Sequence, residues 1–233
     1  MEQHPAHAIV TGGASGMGRA TAERFAAEGW AVTVLDLGTY PGDATVRSQA
    51  VDITDAAAVA VAVTAAVGAH GVPRALVNAA GIYPPTTLAT TTTELYRRTF
   101  DVNVLGTLLV TQAVAPHMTE GSAVVNFASV DAFVPSPGQL VYCATKAAVV
   151  AITRSLALEL APRVRVNAIA PGWVDTPGNR VTGRMEAAIP SIPLGRAAAP
   201  EEMADLVWFL AGEGRAAYVT GETIVASGGV AFR

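Results

Sequence analysis

A glycine-rich segment follows the first apolar run of the chain, and it constrains the fold more than any other feature. The run Ala8–Thr11 leads directly into TGGASGMG, Thr11–Gly18. Glycines at such a place let the backbone come close to a phosphate group. Read from Gly13, the spacing is close to that of a nucleoside triphosphate loop, whereas read from Gly12 it is close to that of a dinucleotide-binding turn.

The residues around the loop separate these two interpretations. A triphosphate loop needs a lysine and then a hydroxyl that binds Mg²⁺, but Arg19 and Ala20 stand at those places. A dinucleotide site needs a strand before the loop, a helix after it and an acidic residue at the end of the next strand. The next apolar run, AVTVLD, ends at Asp36. The sequence therefore predicts a dinucleotide site, with the pyrophosphate at the amino terminus of the following helix.

Asp36 also predicts which dinucleotide is bound. A carboxylate at this place hydrogen-bonds the ribose 2′-hydroxyl of NAD and repels the 2′-phosphate of NADP. The ten residues that follow Asp36 contain no arginine or lysine to neutralise that phosphate. NAD is the expected cofactor.

Short β-branched runs alternate with longer helical patterns along the chain, which is typical of a parallel sheet covered by helices on both faces. The predicted strands are Ala8–Thr11, Ala31–Asp36, Gln49–Asp52, Ala75–Asn78, Ala123–Ala128, Val164–Ala170 and Thr223–Ala226. The predicted helices are Gly18–Glu28, Asp55–Val67, Thr93–His117, Tyr142–Leu160 and Glu201–Leu210. The length suits one domain. We therefore expect a single doubly wound α/β domain over residues 1–233, with about seven parallel strands.

Two segments need separate interpretation. The alternation Val59-Ala-Val-Ala-Val63 fits a strand, but the run is long and rich in alanine, and Thr54 can cap a helix there. We predict a helix. Residues 171–200 hold five prolines and form the longest irregular stretch, which predicts a lid over a binding site.

Composition and charge exclude several classes of function. A formal net charge of −4 offers no basic surface for nucleic acid. The single cysteine, Cys143, excludes an intrachain disulfide and indicates a reducing compartment. The apolar stretch Ala56–Ala69 is too short to span a membrane, and the N-terminal residues do not resemble a signal peptide. We expect a cytoplasmic protein that binds neither nucleic acid nor membrane.

A second cluster of chemically active residues lies between Ser129 and Lys146. Tyr142 and Lys146 are four residues apart, so a helix presents both on one face. A tyrosine of ordinary pKa, about 10, is a poor base at neutral pH and needs a pKa about 2–3 units lower. An ammonium at ~4 Å supplies on the order of 4 kcal/mol, which is the right size. Ser129 ends a predicted strand, where open α/β sheets bind their ligands.

Together these features resemble the short-chain dehydrogenase/reductase family, and the resemblance extends over nearly the whole chain. The matching segments, in chain order, are TGGASGMG (Thr11–Gly18), Asp36, Asp52-Ile53, NAAG (Asn78–Gly81), Asn103, Ser129, YCATK (Tyr142–Lys146), Asn167, PGWVDT (Pro171–Thr176), PLGR (Pro193–Arg196), PEE (Pro200–Glu202) and YVTG (Tyr218–Gly221). So many ordered matches make the resemblance specific. It implies a Rossmann domain and a hydride transfer that needs no metal.

The resemblance implies a role for each catalytic residue. Tyr142 is expected to exchange a proton with the substrate oxygen, and Lys146 to lower the pKa of Tyr142 and hold the nicotinamide ribose. Ser129 is expected to orient the substrate oxygen, and Asn103 to support a water that leads from Lys146 to solvent. The implied cofactor contacts, besides Tyr142 and Lys146, are Gly12, Ser15, Gly16, Met17, Gly18, Asp36, Leu37, Asp52, Ile53, Asn78, Ala79, Ala80, Gly81, Pro171, Gly172, Val174 and Thr176. Among these, Asn78 is expected to brace the sheet and Thr176 to hold the carboxamide.

The sequence departs from the family pattern in three places. Leu37–Val51 joins two strands where the family has a full helix, and we expect a loop with at most one turn there. Ala79 replaces a second asparagine, and Ser227 stands where an acidic residue is common.

The substrate is expected to contact residues that follow strand ends. Tyr83, Asp131, Phe133 and Trp173 form a mainly aromatic wall with one carboxylate, which predicts a neutral, hydrophobic secondary alcohol or ketone. Asp131 leaves open a dehydrogenase of cis-dihydrodiols. A 3-oxoacyl thioester reductase and a non-catalytic NAD-binding sensor or scaffold are the further alternatives.

The sequence also leads to expectations about metal binding and assembly. The histidines His4, His7, His70 and His117 have no ligand spacing, so no metal site is expected. The family assembles as a tetramer through its long helices, and Thr93–His117 and Tyr142–Leu160 are apolar enough to serve in a homotetramer or a dimer.

Overall fold

The sheet is built from seven parallel strands. The computed structural model describes residues 5–41, 45–212 and 214–232. Within these residues the strands lie in the order β3-β2-β1-β4-β5-β6-β7. Their bounds are β1 His7–Thr11, β2 Ala31–Asp36, β3 Val46–Ala50, β4 Pro73–Asn78, β5 Ser122–Phe127, β6 Val164–Pro171 and β7 Thr223–Ala226. The doubly wound α/β fold predicted from the sequence is confirmed.

Helices cover both faces of this sheet. Their bounds are α1 Gly16–Ala27, α2 Ala56–His70, α3 Thr93–Phe100, α4 Gly106–Val114, α5 Leu140–Leu160, α6 Pro177–Arg180, α7 Arg184–Ala188 and α8 Pro200–Ala211. A π-helical turn, Asp101–Leu105, joins α3 to α4, and 3₁₀ turns lie at Ala115–His117, Val130–Ala132 and Ile189–Ser191. The lid segment, residues 171–200, therefore contains two short helices where the sequence predicted a loop.

Strand order reverses beside β1, and this places the site. The chain runs from β1 outward to β2 and β3, and then crosses to the other side of β1 to form β4. Thr11 at the end of β1 pairs with Asn78 at the end of β4. In open α/β sheets, such a switch point opens a crevice at the carboxyl ends of the strands. The glycine loop follows β1 at this crevice.

Each face of the sheet has its own apolar core. On one face α1 and α8 pack on the strands, and the rings of Phe25 and Trp208 meet edge-on with centroids 5.2 Å apart. Phe25 is fully buried, so Phe25→Ala should cost about 3–5 kcal/mol. On the other face Val59 and Val63 of α2 pack with α4 and α5. The helix predicted over Val59–Val63 is confirmed.

Two sequence-based boundaries were wrong. The long helix predicted over Thr93–His117 is interrupted by the π-helical turn, which the residue pattern did not signal. Strand β3 lies at Val46–Ala50, earlier than the predicted Gln49–Asp52, because it aligns with β2 from Val32 to Asp36.

The cap of α2 is Asp55, whose carboxylate accepts from the amides of Ala57 and Ala58. The predicted cap, Thr54, instead donates its hydroxyl to Asp52. Beyond β2, the described residues of the Leu37–Val51 crossover contain no helix, as expected, while Gly42 lies outside the described residues.

Helix α5 carries two predicted catalytic residues, Tyr142 and Lys146. Among the described residues it is the one helix long and apolar enough, by length and composition, to cross a membrane. Its Val149 and Val150 are buried against Ala168 and Ala170 of β6. It is therefore a core helix of the fold.

Candidate active site

The glycine loop makes a cradle that only glycine fits. Gly12 has φ +68°, and a Cβ there would lie 2.7 Å from the backbone of Ala80 at the end of β4. A Cβ on Gly18 would collide with the carbonyl oxygen of Gly12. Gly16, with φ +54°, begins α1. The loop therefore holds its backbone against β4 and leaves the amino terminus of α1 open to an anion.

Asp36 ends β2 beside this loop. One carboxylate oxygen accepts from the amide of Ala14 at 2.9 Å, and the other accepts from the amide of Gly38 at 2.8 Å. Each oxygen keeps a second lone pair for a further donor. Asp36 thus fixes the glycine loop and presents an acceptor to the adjoining cleft.

That cleft has a volume of about 310 Å³, and we name it the nucleotide cleft after the cofactor that the sequence predicts there. Most of the predicted cofactor residues line it, namely Gly12, Ser15, Gly16, Met17, Gly18, Asp36, Leu37, Asp52, Ile53, Ala79, Ala80, Gly81 and Thr176. Asp52 accepts from the amide and hydroxyl of Thr54, which holds the pKa of its carboxyl below its usual range. Arg98 of α3, which the sequence did not indicate, also lines the cleft and lies 3.9 Å from Asp52.

Tyr142 and Lys146 lie on successive turns at the start of α5, as predicted. The Nζ of Lys146 lies 5.7 Å from the centre of the Tyr142 ring and donates to the carbonyl oxygen of Phe127 at 2.6 Å. A Cβ on Gly81 would be 3.6 Å from this Nζ, so the ammonium borders the nucleotide cleft. Ser129 follows β5, accepts from the amide of Asp131 and contacts the phenol of Tyr142.

The electrostatics of this group differ from the sequence-based expectation. Burial raises the pKa of Tyr142, and the hydrogen bond with Ser129 opposes that rise. Burial lowers the pKa of Lys146 to about 8. The net lowering of the Tyr142 pKa that the sequence predicts is therefore not found among the protein's own groups, because burial has the largest effect on this pKa and raises it.

Asn103 lies inside the π-helical turn between α3 and α4. Its amide nitrogen donates to the carbonyl oxygen of Ile82 at 2.8 Å and to the hydroxyl of Thr145 at 3.0 Å. Its amide oxygen accepts from the backbone nitrogen of Ile82. Asn103 therefore ties the strand-end segment after β4 to α5. Such turns are frequent at functional sites, since they re-aim one side chain.

A second cavity, of about 370 Å³, has Tyr142 in its wall, and we name it the substrate cavity. Tyr83, Ser129, Asp131, Tyr142, Pro171, Gly172 and Trp173 line it, together with Ser136, Gln139, Asn179 and Arg184. The wall is thus more polar than the sequence predicted. Phe133 packs against the apolar cluster of α5 and β6 and is absent from the described lining.

Two further predicted cofactor residues lie away from both cavities. The side chain of Asn78 donates to Thr111 and Asn126 and so braces the sheet. Val174 is buried, and its carbonyl oxygen accepts from the side chain of Asn179.

Sequence reasoning missed Arg98, Gln139 and Arg184. Gln139 stands three residues before the YCATK segment and Arg184 lies in the lid segment, but only the folded chain shows which way they project.

The two cavities meet at Met17, Tyr83 and Thr176, which line both of them. A glycine cradle at a topological switch point, next to a serine, tyrosine and lysine cluster, defines a dinucleotide-binding α/β oxidoreductase.

Comparison with known proteins agrees with this class. Residues 12–231 match the family described as Enoyl-(Acyl carrier protein) reductase. The chain is 43% identical to an uncharacterized oxidoreductase of Methylorubrum extorquens over 96% of each chain. It is 35% identical to the 2,5-dichloro-2,5-cyclohexadiene-1,4-diol dehydrogenase LinX of Sphingobium indicum, over 95% of this chain and 94% of that one.

The fold is similar to that of a 3-ketoacyl-(acyl-carrier-protein) reductase from Brucella melitensis complexed with NADH. The TM-score is 0.90 and the sequence identity 32%, over 97% of this chain and 98% of that chain. The chain belongs to the short-chain dehydrogenase/reductase family, as its motifs predict, and is an oxidoreductase of that family.

Proposed function

We propose that the protein interconverts a secondary alcohol and a ketone with NAD(H), and that Tyr142 is the general acid/base. The observation that carries the proposal is the position of Tyr142. It lines the substrate cavity, contacts Ser129 and stands one helical turn from Lys146, whose ammonium borders the nucleotide cleft. A proton donor in a substrate cavity that adjoins the nucleotide cleft is what alcohol–ketone chemistry requires.

Each residue of the proposed catalytic group has a role that follows from its position. Ser129 and the phenol of Tyr142 converge on the same part of the substrate cavity, so both can hydrogen-bond one substrate oxygen. In alcohol oxidation Tyr142 accepts the hydroxyl proton at its phenolic oxygen, and in ketone reduction it donates that proton. Lys146 places a cation beside the phenol and so favours its ionised form. Asn103 holds the backbone of Ile82 and the hydroxyl of Thr145, and thereby fixes the start of α5.

The cleft fits a dinucleotide by its own geometry. At Gly12 and Gly18 a Cβ would strike backbone, so the loop stays narrow enough for a pyrophosphate to reach the amides of α1. We assign Asp36 to the adenosine ribose, Asp52 and Ile53 to the adenine, and Thr176 to the carboxamide, and all four line the cleft. When bound, NAD supplies the hydride acceptor and a positively charged ring, which favours a nearby phenolate. The carboxylate of Asp36 supports NAD over NADP.

One alternative substrate class has specific support. Asp131 lines the substrate cavity and can accept from a second hydroxyl, as a dihydrodiol dehydrogenase would require. LinX, a relative named for a cyclohexadienediol, agrees with that possibility.

A 3-oxoacyl thioester reductase is the other enzyme candidate, and the Brucella melitensis structure supports it. A non-catalytic sensor is less favoured because Ser129, Tyr142 and Lys146 are all in place.

The proposal also includes a cellular location and an oligomeric state. We propose a cytoplasmic homotetramer, with a dimer as the alternative, that acts on a small-molecule substrate and binds neither nucleic acid nor membrane. Gel filtration with light scattering would distinguish the assembly states.

The proposed function is tested with a panel of secondary alcohols, dihydrodiols, simple ketones and 3-oxoacyl thioesters, each offered with NAD(H) and NADP(H), followed at the nicotinamide absorbance. We expect turnover of secondary alcohols or ketones, with a higher kcat/KM for NAD(H). Turnover of 3-oxoacyl thioesters alone, or a preference for NADPH, would contradict the assignment. A protein that binds NADH and turns over no member of the panel would favour the sensor.

A further inference from the structure

We propose that Arg184, assisted by Gln139, binds an oxyanion of the substrate, so that the natural substrate is a ketone or secondary alcohol that carries a carboxylate. This inference deepens the proposed function and rests on it. It replaces the neutral substrate that the sequence indicated.

Arg184 belongs to the lid segment and reaches into the substrate cavity. Its guanidinium lies over the ring of Trp173, 5.6 Å from the ring centre, and both residues line the cavity. The guanidinium makes one hydrogen bond to the described residues, a long one of 3.5 Å to the carbonyl oxygen of Pro137. A guanidinium has five N–H donors, so most of those on Arg184 face no acceptor in the described part of the chain.

Arg184 and the acidic residue Asp131 line the same cavity, but no ion pair joins them. Asp131 lines the same cavity, and Arg184 contributes to lowering the pKa of its carboxyl, yet burial has the larger effect and raises that pKa. Asp131 accepts from the hydroxyl of Ser136, and the ion pairs found among the described residues leave Arg184 out. The cation in the cavity wall therefore keeps its capacity to pair with an anion from outside the chain.

Gln139 provides an independent observation that points to a ligand. Its side chain is 3% exposed and lines the substrate cavity, and its amide oxygen is buried without a hydrogen-bond partner among the described residues. An unsatisfied buried amide is costly, so a partner is expected. A half-turn of the amide exchanges its oxygen and nitrogen, so Gln139 can donate to a carboxylate or accept from a hydroxyl.

Carboxylate is the oxyanion that fits these donors best. The planar guanidinium fork matches a carboxylate with two parallel hydrogen bonds, and the Trp173 ring beneath it gives the cation an aromatic support in the cavity wall. The lining also contains Val134, Pro135 and Val230, which can pack against the carbon chain between the carboxylate and the carbonyl.

The test uses keto acids, from acetoacetate to levulinate and its next homologue, each paired with its methyl ester. For the wild type with NADH, we expect at least one acid to exceed its ester in kcat/KM by about tenfold or more. Arg184→Gln should raise KM for the acid by about tenfold or more relative to the ester and so remove that preference, whereas Arg184→Lys should keep part of it. The matched control is Arg180→Gln, which removes a cation from the same lid segment at an exposed ion pair with Asp175.

A second readout does not depend on turnover. Calorimetry measures binding of each keto acid to the NAD⁺-saturated protein, in which both reactants are oxidised and no reaction follows. We expect binding by the wild type and by Arg180→Gln, and a loss of about tenfold or more in Arg184→Gln.

The outcomes separate the two proposals. Binding of the acid that depends on Arg184, without turnover of any ketone, would uphold the oxyanion site and reject the proposed function. Turnover of the esters with no preference for the acids would uphold the function and reject the oxyanion site. Equal losses of kcat/KM for acid and ester in Arg184→Gln would overturn the inference. They would show that Arg184 acts by holding the lid segment through its hydrogen bond to Pro137.

Discussion

The ring of Tyr83 meets the ring of Tyr142 edge-on, with the ring centres 6.0 Å apart. Tyr83 lines both the nucleotide cleft and the substrate cavity, and its hydroxyl lies directly beneath Gly178 of the lid segment. Tyr83 therefore links the position of the lid segment to the position of the proposed acid/base. A substitution at Gly178 should therefore shift the ring of Tyr142, although the two residues belong to different elements.

Gly178→Ala should lower kcat/KM by about tenfold or more, because a Cβ there collides with the Tyr83 hydroxyl and must displace the ring or the lid segment. The double variant Gly178→Ala/Tyr83→Phe removes the clashing atom and should recover most of the activity of Tyr83→Phe alone. Steady-state kinetics of the four proteins measure this coupling.

Gly68→Ala is the matched control for that experiment. Gly68 lies in α2 with open space around it, so the substitution should leave kcat/KM unchanged and raise stability by about 0.5–1 kcal/mol. Equal activity of Gly178→Ala and the wild type would contradict the proposed link.

Asp36→Ala should shift the cofactor preference toward NADP on the order of tenfold, because it removes the charge that repels a 2′-phosphate. Asp36→Asn should shift it in the same direction while keeping one acceptor for the amides of Ala14 or Gly38. The ratio of kcat/KM with NADPH to that with NADH is the measurement. An unchanged ratio in both variants would refute the role of Asp36.

His7 should make the fold sensitive to acid. It is fully buried between the carbonyl oxygen of Gly71 and the hydroxyl of Thr33, and burial lowers its pKa from 6.5 to about 4. Between these two pH values the unfolded chain binds the proton and the folded chain does not. Stability is therefore lost as the pH falls, by about 3 kcal/mol from this residue.

Urea unfolding of His7→Gln across that pH range tests the prediction. The variant should be less stable near neutral pH but should lose about 3 kcal/mol less than the wild type on acidification. His117→Gln, at an exposed position, serves as the control. Parallel pH curves for the wild type and His7→Gln would rule out this origin of acid sensitivity.

The sequence predicted the sheet well because its strands are buried on both faces. Runs such as AVTVLD have one dominant property, apolar β-branched character, and each lies at its predicted place within a few residues. Strand β3 was misplaced because its residues, VRSQA, are half polar at the edge of the sheet. Its position depends on pairing with β2, which a local pattern does not contain.

The sequence predicted the parts of the candidate site that depend on backbone geometry. It did not predict the residues that reach the site through long side chains. Gly12 and Gly18 were found because close approach of the backbone excludes other residues. Arg98 and Arg184 were missed because a long side chain can project in many directions, and only packing selects one. Phe133 was assigned to the substrate by its place after β5, but it turns toward the core cluster of α5.

The electrostatic error at Tyr142 has a similar origin. A spacing of four residues places Lys146 on the same face of the helix, but it does not report how far burial desolvates the two groups. The ammonium is held by the carbonyl oxygen of Phe127, and burial shifts the pKa of both side chains toward their neutral forms.

Tyr142→Phe tests the central claim most directly, with Cys143→Ala, a change at the adjacent buried residue, as its control. Binding of NADH is titrated by fluorescence, and kcat is measured with the best substrate of the panel. We predict that Tyr142→Phe binds NADH within about twofold of the wild type and loses 10²–10⁴-fold in kcat, roughly the contribution of a general acid/base. Near wild-type turnover by Tyr142→Phe would contradict the assignment of the proton to this phenol.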